Sequence, residues 1–290
     1  MDNEIKHIDL AKTIRERDSR LLKSLPPFVV RLLIRIIKQE EINSIINKYA
    51  GYPALEFLPK VIEEFNLQLD IEGIENLPEN GKCFFVANHP FGILDGLILT
   101  YTVSQKYGSL KAIANDSFAF VPQLRPFVAA VNVFGRSSRE YLNAINETYN
   151  SSEPITHFPA GIVSRLVEGK VRDLPWQKSF IAKAVSSQRD IVPFYFYGRN
   201  SRLFYAIFIF RRIFGIKTVI ELMLLPREIF KKKHTTVKVT IGKPISYETF
   251  DKSRSNFEWA QKLRSHVYSL GTEKPGSVAS DFNVTEASEN

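Results

Sequence analysis

The chain has 290 residues, a formal net charge of +8, 44% hydrophobic residues and one cysteine. Mean hydropathy is −0.13, enough apolar mass for a substantial core, which excludes a mainly disordered or fibrous chain. A single Cys excludes a disulfide framework and every Cys-rich zinc pattern. The charge is uneven: residues 271–290 hold one Lys against four acidic residues, a net −3 that leaves +11 on the remainder.

The opening MDNEIKHIDLAKTIRERD lacks the apolar stretch of a secretory signal, so a reducing cytoplasmic compartment is expected. Residues 1–65 read as a helical, membrane-associating module broken at Ser24–Pro27, where proline suits a first helical turn. In the following helix Arg31, Arg35 and Lys38 form a narrow basic stripe beside a wide apolar arc from Phe28 to Ile37. Such a helix either lies in a membrane interface or packs on the domain with its stripe in water.

From residue 66 to 270, strand-like runs alternate with helical ones, which predicts an α/β domain with a mostly parallel sheet flanked by helices. The strands are expected at 67–71, 83–87, 110–114, 155–158, 191–197 and 236–241. Helices are expected at 94–106, 138–149, 177–187 and 256–269, the second opened by a capping box from Ser137 to Glu140. Residues 203–226 are the most apolar stretch, interrupted by Arg211, Arg212, Lys217 and Glu221. That charge load opposes a spanning helix and leaves a surface-seated membrane excursion or an ordinary core helix. The tail 271–290 reads as disordered and acidic.

The five histidines show no HExxH spacing, and no cluster predicts a metal. Phosphate-cradling glycine loops and a GxSxG elbow are absent. Cys83, in the apolar run CFFVA, reads as a buried, inert thiol. His89 stands apart. It directly follows that strand in VANHPFGILDG, at the strand end where α/β sheets place their sites. If the loop folds back, Asp95 can fix the imidazole tautomer while the free nitrogen takes a proton.

Four blocks, NHPFGILDG (88–96), VNVFGR (131–136), HFPAGIVSR (157–165) and IVPFYFYGRNS (191–201), resemble the glycerolipid and lysophospholipid acyltransferases of the PlsC type. The likeness is nearest to the bacterial hemolysin-like branch that acylates ornithine and glycine lipids. The resemblance implies a PlsC-type fold, His89 as general base and Asp95 as its partner, an acyl-acceptor site at Arg136, Phe158, Pro159 and Gly161, and Pro193 in the fourth block. Two departures are visible. Five residues rather than four separate His89 from Asp95. Ala160 stands where the family has Glu, and Ile162, Val163 and Ser164 replace Thr-Arg-Ser, which weighs against a glycerol-3-phosphate acceptor. Arg165 either reaches the same anionic group or is a surface charge.

The expected reaction moves a fatty acyl group from acyl-acyl carrier protein or acyl-coenzyme A to the hydroxyl of a lysolipid, a lyso amino-acid lipid or lysophosphatidate. It needs no cofactor and takes place peripherally on the cytoplasmic face of the inner membrane. Gly92 and the helix start behind it are candidate oxyanion donors. N-acylation of an amino acid by the same pair is an alternative. A non-enzymatic, basic nucleic-acid-binding module is the competitor; it accounts for the charge but not for HPFGILD or FPAG, so membrane lipid rather than nucleic acid is the expected partner.

Overall fold

A computed structural model describes residues 5–12, 26–113, 121–129, 138–216, 219–272 and 282. The block VNVFGR, with Arg136, and the capping residue Ser137 lie outside the described residues, as does nearly all of the tail.

Six strands form one sheet: β1 (Gln68–Glu72), β2 (Cys83–Ala87), β3 (Lys111–Ile113), β4 (Ile155–His157), β7 (Asp190–Phe196) and β8 (Thr236–Ile241), in the order β1-β8-β7-β2-β4-β3. All neighbours run parallel except β7 and β8, as the alternation of strand and helix predicts. A second, two-stranded sheet pairs β5 (Arg165–Val167) with β6 (Lys170–Arg172). Its connection, Glu168-Gly169, has φ of 50° and 76°, the backbone of a tight hairpin turn.

Every residue of β2 is buried because the strand lies inside the sheet with packing on both faces. Cys83, Phe85 and Ala87 enter one hydrophobic core and Phe84 and Val86 the other, the alternation that a strand dictates. That is why CFFVA is a continuous apolar run rather than an alternating one. The first core is closed by α4 (Ile93–Tyr107) and by α3 (Ala54–Glu64), which contributes Phe57, Leu58 and Val61. The second is closed by α6 (Ser179–Ser186) and α9 (Asn256–Leu270), and α5 (Ser138–Asn150) runs between β3 and β4.

Between residues 26 and 65 the described residues form the helices α1 (Pro27–Ile36), α2 (Gln39–Lys48) and α3. The stripe helix ends at Ile36, two residues short of Lys38, which takes a left-handed conformation and pairs with Glu41 at 2.6 Å. Arg31 and Arg35 remain exposed on α1, as do Phe28 and Leu32.

The apolar stretch beginning at 203 splits into α7 (Arg202–Ile213) and, after a 3-10 turn at Ile220–Leu224, α8 (Leu225–Phe230). Phe204, Tyr205 and Phe208 face inward, whereas Leu203, Phe210, Ile213 and Phe214 are exposed. Ile36 packs against the same small core as Phe204 and Leu224, so α1 and α7 meet on one side of the molecule.

Strands β2 and β4 are parallel and in register, Val86 opposite His157. Their following loops therefore emerge together at the carboxyl edge of the sheet.

Candidate active site

The loop after β2 is held tightly. Asn88 continues the β2–β7 pairing with its side chain, donating to the Phe196 carbonyl at 3.0 Å and accepting from the Phe196 amide at 2.7 Å. His89 begins where this substitute rung ends. Asp95, at the third position of α4, folds back over the turn: its carboxylate accepts from the amides of Phe91 (2.8 Å), Gly92 (3.2 Å) and Gly96 (2.9 Å). These are donors that a helix start leaves unpaired. Gly92 has φ of 88°, and a Cβ there would meet Leu225 at 2.9 Å and Val163 at 3.0 Å, so both its conformation and the close approach require glycine.

The imidazole Nδ1 of His89 lies 3.0 Å from Asp95 Oδ1. The approach is close but bent away from a linear hydrogen bond. Asp95 is fully buried, while the His89 side chain keeps 16% exposure. The other face of the ring stacks on Phe158, with centroids 4.0 Å apart. With Nδ1 turned to Asp95, Nε2 is the nitrogen left for substrate.

His89 lines a cavity of about 440 Å³ together with Gly92, Phe158 and Gly161. The rest of the wall is mainly apolar, with Ile42 and Ile46 from α2, Phe57 and Val61 from α3, Leu97 from α4 and Ile229 from α8. This volume falls in the range of small-molecule sites. Val163, Leu222 and Leu225 belong both to its wall and to the small core beneath α7, so the buried face of α7 packs behind the cavity wall.

The structure brings Phe158 and Gly161 to His89. Pro159 is buried beside them, its carbonyl accepting from Gln177. Arg165 is a correction. The side chain retains 2% exposure and sits 3.2 Å from Glu221, itself fully buried and bound by Arg211 at 2.9 Å. Its Nη1 donates to the Val163 carbonyl at 2.8 Å, and its guanidinium lies over the rings of Phe204 and Phe208. With its charge taken up by Glu221, it is neither a ligand contact nor a surface charge. Gly92 is a second correction, because its amide is already committed to Asp95 and is not an oxyanion donor.

The fourth block supports the site from behind. Gly198, at φ 123°, lets the Phe91 ring pack where a Cβ would stand 2.6 Å from it. Two further groups have settled states. Burial pushes the Cys83 thiol up to about 12, so it is inert, and burial pushes His157 down to about 4 against the opposing Ile113 carbonyl, so it is neutral at physiological pH. Among the described residues no three His, Cys, Asp or Glu side chains gather as a metal site. Sequence reasoning missed Asp173, whose Oδ1 accepts the His89 amide at 3.1 Å.

The structure is thus an α/β protein with a histidine–carboxylate pair beside an apolar cavity at the carboxyl edge of a mostly parallel sheet. The acyltransferase family model matches residues 12–274, and the chain belongs to that family. It is 37% identical over 270 residues to the lyso-glycine lipid O-acyltransferase of Phocaeicola vulgatus, covering 93% of this chain and 97% of that one. The lyso-glycine lipid O-acyltransferase of Bacteroides thetaiotaomicron is 37% identical over 270 residues, with 93% and 99% covered. The crystal structure of the 1-acyl-sn-glycerophosphate acyltransferase PlsC from Thermotoga maritima aligns with a TM-score of 0.46 at 17% identity, over 84% of this chain and 96% of that one.

Proposed function

We propose that this enzyme acylates the hydroxyl of a lyso amino-acid lipid of the lyso-glycine type, with His89 as general base. The observation that carries the reading is His89, paired with the buried Asp95, in the wall of a mainly apolar cavity. Nε2 takes the proton of the acceptor hydroxyl as that oxygen attacks the thioester carbonyl. Asp95 holds the ring and offsets the charge that develops on it. The tetrahedral intermediate then collapses: the carbon–sulfur bond breaks, and the departing thiolate receives the proton from the His89 imidazolium. No acyl-enzyme is needed, since Cys83 is buried and inert. The cavity takes the acyl chain, each methylene transferred from water contributing about 0.8 kcal/mol.

An amino-acid headgroup is favoured over lysophosphatidate by the third block. Ala160 is buried in the core, Val163 is packed into the cavity wall and Arg165 is occupied by Glu221, so none of the three presents charge to a phosphate. Arg136 is the proposed partner of the acceptor's carboxylate, by paired hydrogen bonds.

The enzyme is proposed to work at the cytoplasmic face of the membrane. Among the described residues no helix is long and apolar enough to cross one. The exposed Phe28 and Leu32 of α1, the exposed Phe210 and Ile213 of α7 with Phe214 just beyond it, and the neighbouring Arg31, Arg35, Arg202 and Arg212 fit a surface-seated protein. Acyl carrier protein and coenzyme A are both compatible donors; an acidic carrier protein suits the basic body.

The test is direct assay of purified protein with lyso-glycine lipid or lysophosphatidate, each with acyl-carrier protein and coenzyme A thioesters, products being read by mass spectrometry. Diacylated glycine lipid is the expected product. Acylation of lysophosphatidate alone overturns the acceptor assignment. Arg136→Ala is expected to raise KM for the lyso-lipid with little change in kcat.

A further inference from the structure

We infer that Asp173 and Ser164 are positioning residues for His89, holding its main chain from both sides and so fixing where the imidazole stands. The inference rests on the reading of His89 as the base. The His89 amide donates to Asp173 Oδ1 at 3.1 Å. The His89 carbonyl accepts from the Ser164 amide at 2.8 Å. The two clamps are joined, because the Ser164 hydroxyl donates to the same Asp173 Oδ1 at 2.6 Å.

The rest of the loop is held by other means, Asn88 by β7 and Phe91 and Gly92 by Asp95. The main-chain groups of His89 are reached by neither strand pairing nor helix. A fully buried carboxylate serves them, in a place where burial alone opposes its charge. Its other oxygen, Oδ2, accepts from the Trp176 indole at 2.9 Å. Three donors and no acceptor surround the group, an arrangement that only a carboxylate satisfies. An asparagine in its place would set its own amide against either the His89 amide or the Trp176 indole.

Asp173 is in turn tied to α9: its amide donates to the Tyr268 hydroxyl at 2.7 Å, and its carbonyl accepts from Arg264. The base is thus located from a helix across the sheet rather than by its own loop alone. Such tethering matters because a displacement of about 1 Å at a reacting group can cost about a hundredfold in rate.

The experiment compares the full-length enzyme with Asp173→Asn, Ser164→Ala, Trp176→Phe and His89→Ala, measuring kcat, KM for both substrates and thermal unfolding of each. Asp173→Asn is expected to lower kcat about a hundredfold and Ser164→Ala about tenfold, with KM changed less than about twofold. The double variant should be no worse than Asp173→Asn alone, since the Ser164 hydroxyl acts on His89 only through Asp173. Trp176→Phe also loses a bond to Asp173 and perturbs a fully buried ring, so it should lose more thermal stability than Ser164→Ala yet keep kcat within about threefold. This crossed order is what a merely structural role would not give. Wild-type kcat in folded Ser164→Ala and Asp173→Asn, or kcat losses that follow unfolding temperature across the set, would overturn the inference. If Asp173→Asn does not fold, Ser164→Ala carries the test. Activity retained by His89→Ala would instead locate the failure in the assignment of the base.

Discussion

Asp95 and Glu221 are both fully buried carboxylates with a basic nitrogen about 3 Å away, yet one belongs to the proposed active site and the other to a fastening. Glu221 faces two guanidiniums, from Arg165 and Arg211. Its cluster joins the β5–β6 hairpin to α7 and does not line the cavity beside His89. Asp95 faces the imidazole of His89, whose ring also lines the cavity. Burial of charge alone does not mark a site; a partner that opens onto a cavity does.

Four outcomes would break or sharpen this contrast. The largest is at the site: His89→Ala and Asp95→Asn should each lower kcat on the order of 10²- to 10⁴-fold, with circular dichroism unchanged for His89→Ala. Near-normal turnover in a folded His89→Ala protein would erase the difference between the two carboxylates.

At the other cluster, Glu221→Leu should destabilise by about 3–5 kcal/mol in denaturant titration, because two arginines are left buried without a counter-charge. Replacing Arg165, Glu221 and Arg211 together with apolar residues should recover most of that loss. Apolar replacement of both His89 and Asp95 should recover no turnover at all.

The third outcome uses His157. Its folded state takes up a proton only near pH 4, against 6.5 for the free side chain. The unfolded chain therefore binds the proton first as pH falls, and stability is lost across that window, about 3 kcal/mol by pH 4. Denaturant titrations at pH 7, 5.5 and 4 should show a shallower decline in His157→Gln than in the wild type. Equal slopes would mean that another group governs the acid limit.

The smallest concerns the surface. Arg31→Glu with Arg35→Glu should weaken binding to anionic vesicles by at least about 1 kcal/mol per residue, leaving activity on detergent-dispersed lipid intact. Equal sedimentation of both proteins would assign the exposed face of α1 to something other than an anionic bilayer.

Much of this was legible in the residues. The strands expected at 83–87 and 236–241 are found as Cys83–Ala87 and Thr236–Ile241, because an apolar run closed by turn residues has few alternatives. That His89 and Asp95 lie side by side was legible because a short turn joins the end of β2 to the first turn of α4. Arg165 was not, since an arginine reads as solvated until its distant partner Glu221 is known. Asp173 was invisible for a different reason: it acts on a main-chain amide, and any residue type can supply one. The β5–β6 hairpin escaped because strands of three residues are too short for periodicity, although Glu168-Gly169 carried its turn signal.

The lone Cys83 has a use that its inertness creates. It lies in the central strand that leads into His89, sealed between two cores, so a thiol reagent can reach it only when the middle of the sheet opens. Labelling rates under native conditions would then report the free energy of that opening. One sulfur atom, already present, can time the rupture of the sheet in each variant named above, separating enzymes that have lost their chemistry from those that have lost their hold on the chain.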